Sequence, residues 1–458
     1  MTWRGWPLAL ALLMLGACTS HIAPTPVPPL GPPAAWRGQA DPGAAPVDAR
    51  WWDGFGDPVL TALVEQAIAS NPDVAIAAGR VREARASVAL ARAQLLPTLD
   101  AGAAGGHSRT VSAFGKPLDQ DFLQPQVTAG YEVDLFGRLA DSVEASRQAY
   151  LASQAAHDSV RLAVAGAAAS QYIALLGLDA RLAVARGTLA ARGESLRIAQ
   201  SRDREGYSPK LELQQARAEY DATAQIIPQL EGSIRRSEDS LSQLTGEAPH
   251  SIQRGPALDA LTAPQIPAGL PSALLERRPD VAQAGDQLAA SDATLRSVRK
   301  RFLPQLRLNA SGGLAISSLL ADPISLWQAG GSALAPLFAG GRLRAGVEAA
   351  AGQRDQAAFA YRRVVLQSLR EVEDALAAIT ALDAQIVLAR HQRDTLAEAL
   401  RLATNRYRAG YSSYLEQLDA QRGLLTADLT LVSLRSDALT ARVQLFLALG
   451  GGWTRPVA

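Results

Sequence analysis

Few residues in this 458-residue chain are arranged for chemistry. The five histidines, His21, His107, His157, His250 and His391, stand apart in sequence, with no carboxylate or thiolate partners at ligand spacing. Neither a phosphate-binding G-x-x-x-x-G-K-[ST] loop nor a G-x-S-x-G nucleophile elbow occurs. No metal, cofactor or enzymatic activity is therefore expected. Lys and Arg number 45 against 44 Asp and Glu, so there is no basic footprint for nucleic acid. One reactive group remains, the thiol of Cys18. It is the only cysteine, which rules out an intramolecular disulfide.

The residues before Cys18 explain what its thiol is for. Arg4 supplies a positive start, Trp6 to Leu15 is a short apolar stretch, and Leu15-Gly16-Ala17 closes it with small residues. Residues 1–17 read as a signal peptide. Leu-Gly-Ala-Cys resembles a bacterial lipobox, which implies that Cys18 is lipidated and becomes the mature N-terminus. Each buried methylene of such a chain contributes about 0.8 kcal/mol, so several acyl chains hold firmly. By the same analogy, Thr19 in place of an aspartate implies sorting to the outer membrane. Residues 18–56 form the anchor and a linker rich in proline, from Pro24 to Pro46, that reads as an extended spacer.

Everything after the linker is organised by an internal repeat. Asn71-Pro72-Asp73-Val74 returns as Arg278-Pro279-Asp280-Val281, and Leu95-Leu96-Pro97 as Phe302-Leu303-Pro304. Gly137-Arg138-Leu139 returns as Gly341-Arg342-Leu343, and Arg204-Glu205-Gly206-Tyr207-Ser208 as Arg408-Ala409-Gly410-Tyr411-Ser412. The spacing is nearly constant, so the body divides into repeat 1 (57–250), a join (251–270), repeat 2 (271–453) and a tail (454–458).

Each repeat predicts the same elements. A first helix of roughly 35 residues starts near Asp57 or Pro271 and stops before Pro97 or Pro304. A Gly-rich stretch of about 40 residues follows. A very long helix then runs from Arg138 to Gly206, or from Arg342 to Gly410, and a helix of about 40 residues returns to Gly246 or Gly450. Leu175, Leu182, Leu189 and Leu196 recur every seven residues. Val365, Leu369, Val372, Leu376, Ile379 and Ile386 follow coiled-coil spacing with one gap. At 1.5 Å per residue such a helix is on the order of 100 Å long.

The Gly-rich stretches alternate with a period of two. Val127 to Leu135 is apolar at odd positions and small or polar at even ones, and Leu306 to Ser311 alternates likewise. The stretches Leu99–Val111 and Leu326–Phe338 alternate weakly. Four strands of about 12 residues are each long enough to cross a bilayer when tilted. Beyond the leader no apolar run reaches 18 residues, which argues against transmembrane helices. Four strands cannot close a barrel and eight would fill their own interior, whereas twelve leave a lumen. A channel therefore needs at least a trimer, and a homotrimer with twelve strands around one axis is the simplest arrangement. The alternation assigns Thr128, Glu132, Asp134, Arg307 and Asn309 to the lumen, and Tyr131, Val133 and Leu135 to lipid.

Six motifs together carry a family resemblance: Trp51-Trp52 with Phe55-Gly56-Asp57-Pro58, Glu132 to Arg138, Leu275 to Val281, Arg406 to Gly410, Leu418 to Arg422, and Ala448 to Trp453. From Cys18 to Trp453 the chain resembles the TolC-like outer-membrane factors, in particular the lipoprotein (NodT-type) branch of resistance-nodulation-division (RND) efflux systems. The resemblance implies a mainly α chain with a membrane β-barrel: four strands per chain in a 12-stranded trimeric barrel, continued by an antiparallel coiled-coil tunnel in the periplasm. It implies a passive outer-membrane conduit for drugs or other small molecules, working with a periplasmic adaptor and an inner-membrane RND-type transporter. The exit channel of a type I protein secretion system is the alternative.

The resemblance also implies site residues. Leu415 and Asp419 match constricting positions of the periplasmic gate, one helical turn apart. Arg422 and Tyr407 match residues that hold it closed. The turns Gly206-Tyr207-Ser208 and Gly410-Tyr411-Ser412 match the tips that dock the adaptor. Ser412 stands where the family often has an acidic residue.

Overall fold

The computed structural model describes residues 25, 31, 33, 35–37, 47–207, 210–264 and 274–455. The leader, Cys18, Ser208, residues 265–273 and residues 456–458 lie outside the described residues. The chain runs α1 (Pro58–Ser70), α2 (Pro72–Ala93), β1 (Thr98–Val111), β2 (Pro117–Val133), α3 (Arg138–Arg204), α4 (Lys210–Leu244), α5 (Leu274–Arg277), α6 (Pro279–Arg299), β3 (Gln305–Ser317), β4 (Ile324–Leu334), α7 (Arg342–Arg408) and α8 (Tyr414–Ala448). One succession of elements thus occurs twice. Both long helices have 67 residues and both returning helices 35.

The first helix of each repeat departs from expectation, because it is broken in two. Pro72 has no N–H to bond back into the preceding turn and disfavours helical geometry in the residue before it. Asn71 is accordingly extended, at φ −65° and ψ 130°. Pro279 separates α5 from α6 in the same way. The most visible landmark of the repeat is therefore a helix break.

The described residues group into two compact units. The first comprises residues 80–154 and 283–363, together with Thr25. It contains one antiparallel sheet in the order β1-β2-β3-β4, with β1 and β4 as its edges. Across β2 and β3, Thr128 lies opposite Ser311, Gly130 opposite Asn309 and Glu132 opposite Arg307. Partners directly opposite share a face, so these residues form one polar face. Tyr131 opposite Leu308 and Val133 opposite Leu306 form the apolar one. β2 ends at Val133, so Asp134 and Leu135 lie beyond the strand. Asp134 Oδ2 instead accepts the Ala140 N–H at 2.8 Å, satisfying a free donor in the first turn of α3.

The second unit takes the described residues of 30–79, 155–282 and 364–458. Its core gathers Trp51, Trp52, Phe55, Leu60 and Val64 around Ala168, Tyr172, Ile173 and Leu175 of α3. Trp51 stacks on Phe446 of α8 at 5.4 Å. Asp57 caps α1 by accepting the Val59 N–H at 2.8 Å. Its other oxygen accepts the fully buried Tyr172 hydroxyl at 2.9 Å, and that hydroxyl accepts the Gly255 N–H at 2.9 Å. One hydroxyl thereby ties the start of repeat 1 to the join.

Two expectations about α3 are corrected. The leucine stripe stays in the core only at Leu175 and Leu182, while Leu189 and Leu196 are half-buried. Ala185, Arg192, Ser195 and Ala199 take the buried places nearer the turn. A strict seven-residue repeat drifts by about 20° per heptad around a straight helix, which carries Leu189 and Leu196 toward the edge of the contact, where Leu196 still packs against the core at the turn. The run-length argument against membrane helices also misses an Ala-rich window of α3 that is long and apolar enough to cross a membrane. Just over half of that window, 56%, is buried within the protein.

Candidate functional site

The turns joining the long helices to the returning helices organise the site. At each, the helix ends on a left-handed glycine, Gly206 at φ 74° and Gly410 at φ 78°. The Tyr207 N–H reaches back to the Arg202 carbonyl and the Tyr411 N–H to the Arg406 carbonyl, both at 2.9 Å. That six-to-one bond satisfies carbonyls the ending helix would orphan. The rings that follow, Tyr207 and Tyr411, are each 81% exposed. Ser412 Oγ makes no hydrogen bond among the described residues.

Behind these turns a small core of Ala199, Ala216, Tyr407, Tyr414 and Leu418 joins the two hairpins, α3–α4 and α7–α8. Tyr407 is buried, and its hydroxyl donates to Glu212 of α4. The Arg202 guanidinium lies 4.3 Å from the centre of the Tyr407 ring and donates to its backbone carbonyl at 3.3 Å. A cation over an aromatic face contributes about 0.5–2 kcal/mol depending on desolvation. Burial, and then the bond to Glu212, pushes the Tyr407 phenol above its ordinary pKa. Burial does the same to Tyr414.

Leu415, Asp419 and Arg422 share the exposed face of α8, while Tyr414, Gln417, Leu418 and Gln421 point inward. Arg422 nevertheless turns its guanidinium back to Glu219 of α4, with Nε at 2.8 Å from Oε1. The bond to Glu219 raises the Arg422 pKa above its ordinary value. Gln417 and Gln421 donate to Ser195 Oγ of α3 at 3.4 and 3.2 Å. The structure thus brings together three of the four residues matched to the gate's constriction and lock on one face, and sets Tyr407 in the core behind them.

Sequence reading missed the partners: Glu212, Glu219, Arg202 and Arg192. A signal existed for Arg192, which lies one heptad from both buried Ala185 and buried Ala199. A charged residue on a buried stripe calls for a counter-charge.

In the sheet, Glu132 is tied up rather than free. It is held by Arg138 at 2.6 Å and faces Arg307 at 3.8 Å, with only 19% of its side chain exposed. Arg307 and Asn309 are exposed, and Thr128 is half-buried. The histidines are less isolated than their spacing implied. His107 meets Asp121 across the β1–β2 pair, His157 meets Asp158, and His250 meets Glu247. Strand register, which spacing along the chain does not reveal, brings His107 and Asp121 opposite each other. Among the described residues no cluster of three His, Cys, Asp or Glu forms a metal site.

Known proteins share this architecture. The chain is 34% identical over 463 residues to the pyoverdine export outer membrane protein OpmQ of Pseudomonas putida, covering 98% of this chain and 96% of that protein. It is 32% identical to the toluene efflux pump outer membrane protein TtgI of Pseudomonas putida, covering 99% of each. The fold matches the Campylobacter jejuni CmeC outer membrane channel with a TM-score of 0.88 at 22% identity, over 96% of both chains. The outer membrane efflux protein family matches twice, over residues 63–247 and again over 270–451, and the chain belongs to that family.

Proposed function

We propose that this outer-membrane efflux channel works as a lipid-anchored homotrimer, passing drugs or other small molecules from periplasm to exterior. The observation that carries the reading is the sheet. It has two edge strands, one polar face and one apolar face. In a bilayer every backbone polar group must be paired, so such a sheet is stable only when closed by further copies. Three copies give twelve strands and an aqueous lumen. Thr128, Glu132, Arg307 and Asn309 then face the lumen, whereas Asp134 is engaged as a cap at its rim. The two repeats, 57–250 and 271–453, each supply one β-hairpin and one helical hairpin.

The chain forms the outer-membrane part of a tripartite system, with an adaptor and a transporter as its partners. We assign the docking of the periplasmic adaptor to the turns at Gly206, Tyr207 and Ser208 and at Gly410, Tyr411 and Ser412, and the energy supply to an inner-membrane RND-type transporter. The names of the relatives, pyoverdine export and toluene efflux, support small molecules rather than secreted proteins as cargo. Leu415 and Asp419 line a constriction that Tyr407 and Arg422 hold closed. Three Asp419 carboxylates around one axis make a cation-attracting ring.

The lipid anchor on Cys18 is supported by reach. Thr25 donates its backbone N–H and its hydroxyl to Asp355, the hydroxyl at 2.5 Å. Asp355 lies about 20 Å along α7 from its sheet-proximal start at Arg342, at 1.5 Å per residue. Cys18 lies seven residues before Thr25, a stretch that can span at most about 25 Å, a length sufficient for an acyl anchor at Cys18 to reach the level at which the strands begin.

Planar-bilayer recording of the full-length protein tests the reading. Stable conductance from a species that sediments as a trimer in detergent is the expected result. A folded monomer, or a trimer with no conductance, would sink it.

A further inference from the structure

Glu219 is shared between two arginines, one on each of its oxygens. Oε2 accepts from Arg192 Nη1 of α3 at 2.9 Å, and Oε1 accepts from Arg422 Nε of α8 at 2.8 Å. The arginines differ in every other respect. Arg192 has 4% of its side chain exposed and makes two further bonds, to the Glu219 carbonyl at 3.0 Å and to Thr223 Oγ1 at 2.5 Å. Arg422 has 57% of its side chain exposed, and among the described residues its side-chain bonds run to Glu219 alone.

Connectivity separates the two pairs further. Arg192 and Glu219 lie 27 residues apart on the two arms of one hairpin, whereas Arg422 is 203 residues from Glu219 on the other hairpin. A movement of α7–α8 against α3–α4 would break the Arg422 bond and leave the Arg192 bond whole. The same movement would break the other bonds between the hairpins, Tyr407 to Glu212, Arg202 to Tyr407, and Gln417 and Gln421 to Ser195.

We propose that Arg192 is the standing counter-ion of the gate, keeping Glu219 paired and seated when Arg422 departs. A buried carboxylate stripped of its only partner costs far more than one losing the second of two. Glu219 is only 8% exposed, so without Arg192 every opening would strand its charge. With Arg192 in place, opening costs Glu219 a single charge-assisted contact, whose other partner already faces water. Arg192 is thus a positioning residue that lowers the cost of opening, opposite in sign to Arg422. The proposal rests on the gate reading given above.

Single-channel recording of the full-length protein separates the two roles. Arg422→Ala is expected to raise open probability, and Arg192→Met to lower it by about tenfold, because Glu219 then clings to Arg422. Arg192→Lys, which keeps the charge, should stay near wild type. A general loosening of the tip would instead make Arg192→Met leakier, so a rise, or no change, overturns the proposal. If Arg192→Met yields no assembled channel, Arg192→Gln is read by the same sign, and a rise or no change there overturns it equally. If Arg422→Ala leaves conductance unchanged, the gate reading fails. If Arg422→Ala raises conductance while Arg192→Met does not lower it, only the counter-ion role fails.

Discussion

Asn71 and Arg278 do the same work in the two repeats with different chemistry. The Asn71 amide donates to the Leu244 carbonyl at 3.0 Å, and Arg278 Nη1 donates to the Ala448 carbonyl at 3.0 Å. Leu244 and Ala448 are the last residues of α4 and α8, so each break residue satisfies an orphan carbonyl at the end of its own repeat's returning helix. The proline that follows each keeps that residue out of helical geometry, and its side chain meets the helix end from there. Arg278 takes on more, pairing also with Asp280 at 2.6 Å and Glu371 at 2.8 Å.

That difference sets the relative cost of removing them. Asn71→Ala should lose about 1 kcal/mol, one neutral hydrogen bond. Arg278→Ala should lose about 2–4 kcal/mol, since it also leaves two carboxylates without their cation. Thermal unfolding of the detergent-solubilised protein ranks them, and equal losses would refute the argument.

Two glycines with similar backbone angles should respond differently to alanine. At Gly410 (φ +78°) a Cβ meets open space, so Gly410→Ala costs only the left-handed strain of about 1–2 kcal/mol. At Gly450 (φ +89°) the Cβ would fall 2.0 Å from the Arg277 carbonyl oxygen. Displacing that backbone adds roughly 1–3 kcal/mol. The same unfolding assay should show Gly450→Ala clearly below Gly410→Ala.

Asp419→Ala combined with Arg422→Ala is expected to shift the open-to-closed ratio upward by about tenfold, the worth of one charge-assisted bond plus the lost carboxylate ring. Reduced cation preference should accompany the higher conductance. A double variant with wild-type conductance removes the gate assignment.

The Tyr407 phenol has its pKa raised in the folded protein, by burial first and by Glu212 second, from an ordinary value of 10.0. The folded state therefore holds this proton more tightly than the unfolded chain does. The stabilisation is complete below about pH 10 and is lost as pH rises above it. Tyr172 and Tyr414 shift the same way, so Tyr407→Phe should flatten the fall in melting temperature above pH 10 without abolishing it. An unchanged slope would show that Tyr407 ionises freely.

Cys18→Ser should abolish labelling by radioactive palmitate while leaving the helical content unchanged. Persistent labelling would place the acyl chain elsewhere.

The sequence by itself determined the repeat, the strand and helix types, and the positions of both glycine turns. These follow from local rules: a period of two or of seven, a proline that stops a helix, a glycine that takes a left-handed cap. It named Tyr407, Leu415, Asp419 and Arg422 through family resemblance. Tertiary structure alone decided their partners. Glu212, Glu219 and Arg202 meet residues about 200 positions away, and Arg192 finds Glu219 only because two antiparallel helices set them in register. It also decided which heptad positions are buried, since the drift of the stripe around α3 depends on the neighbours it packs against. Pairings made across such sequence distances leave no periodic trace, because each side chain obeys the pattern of its own helix and the partner lies on another.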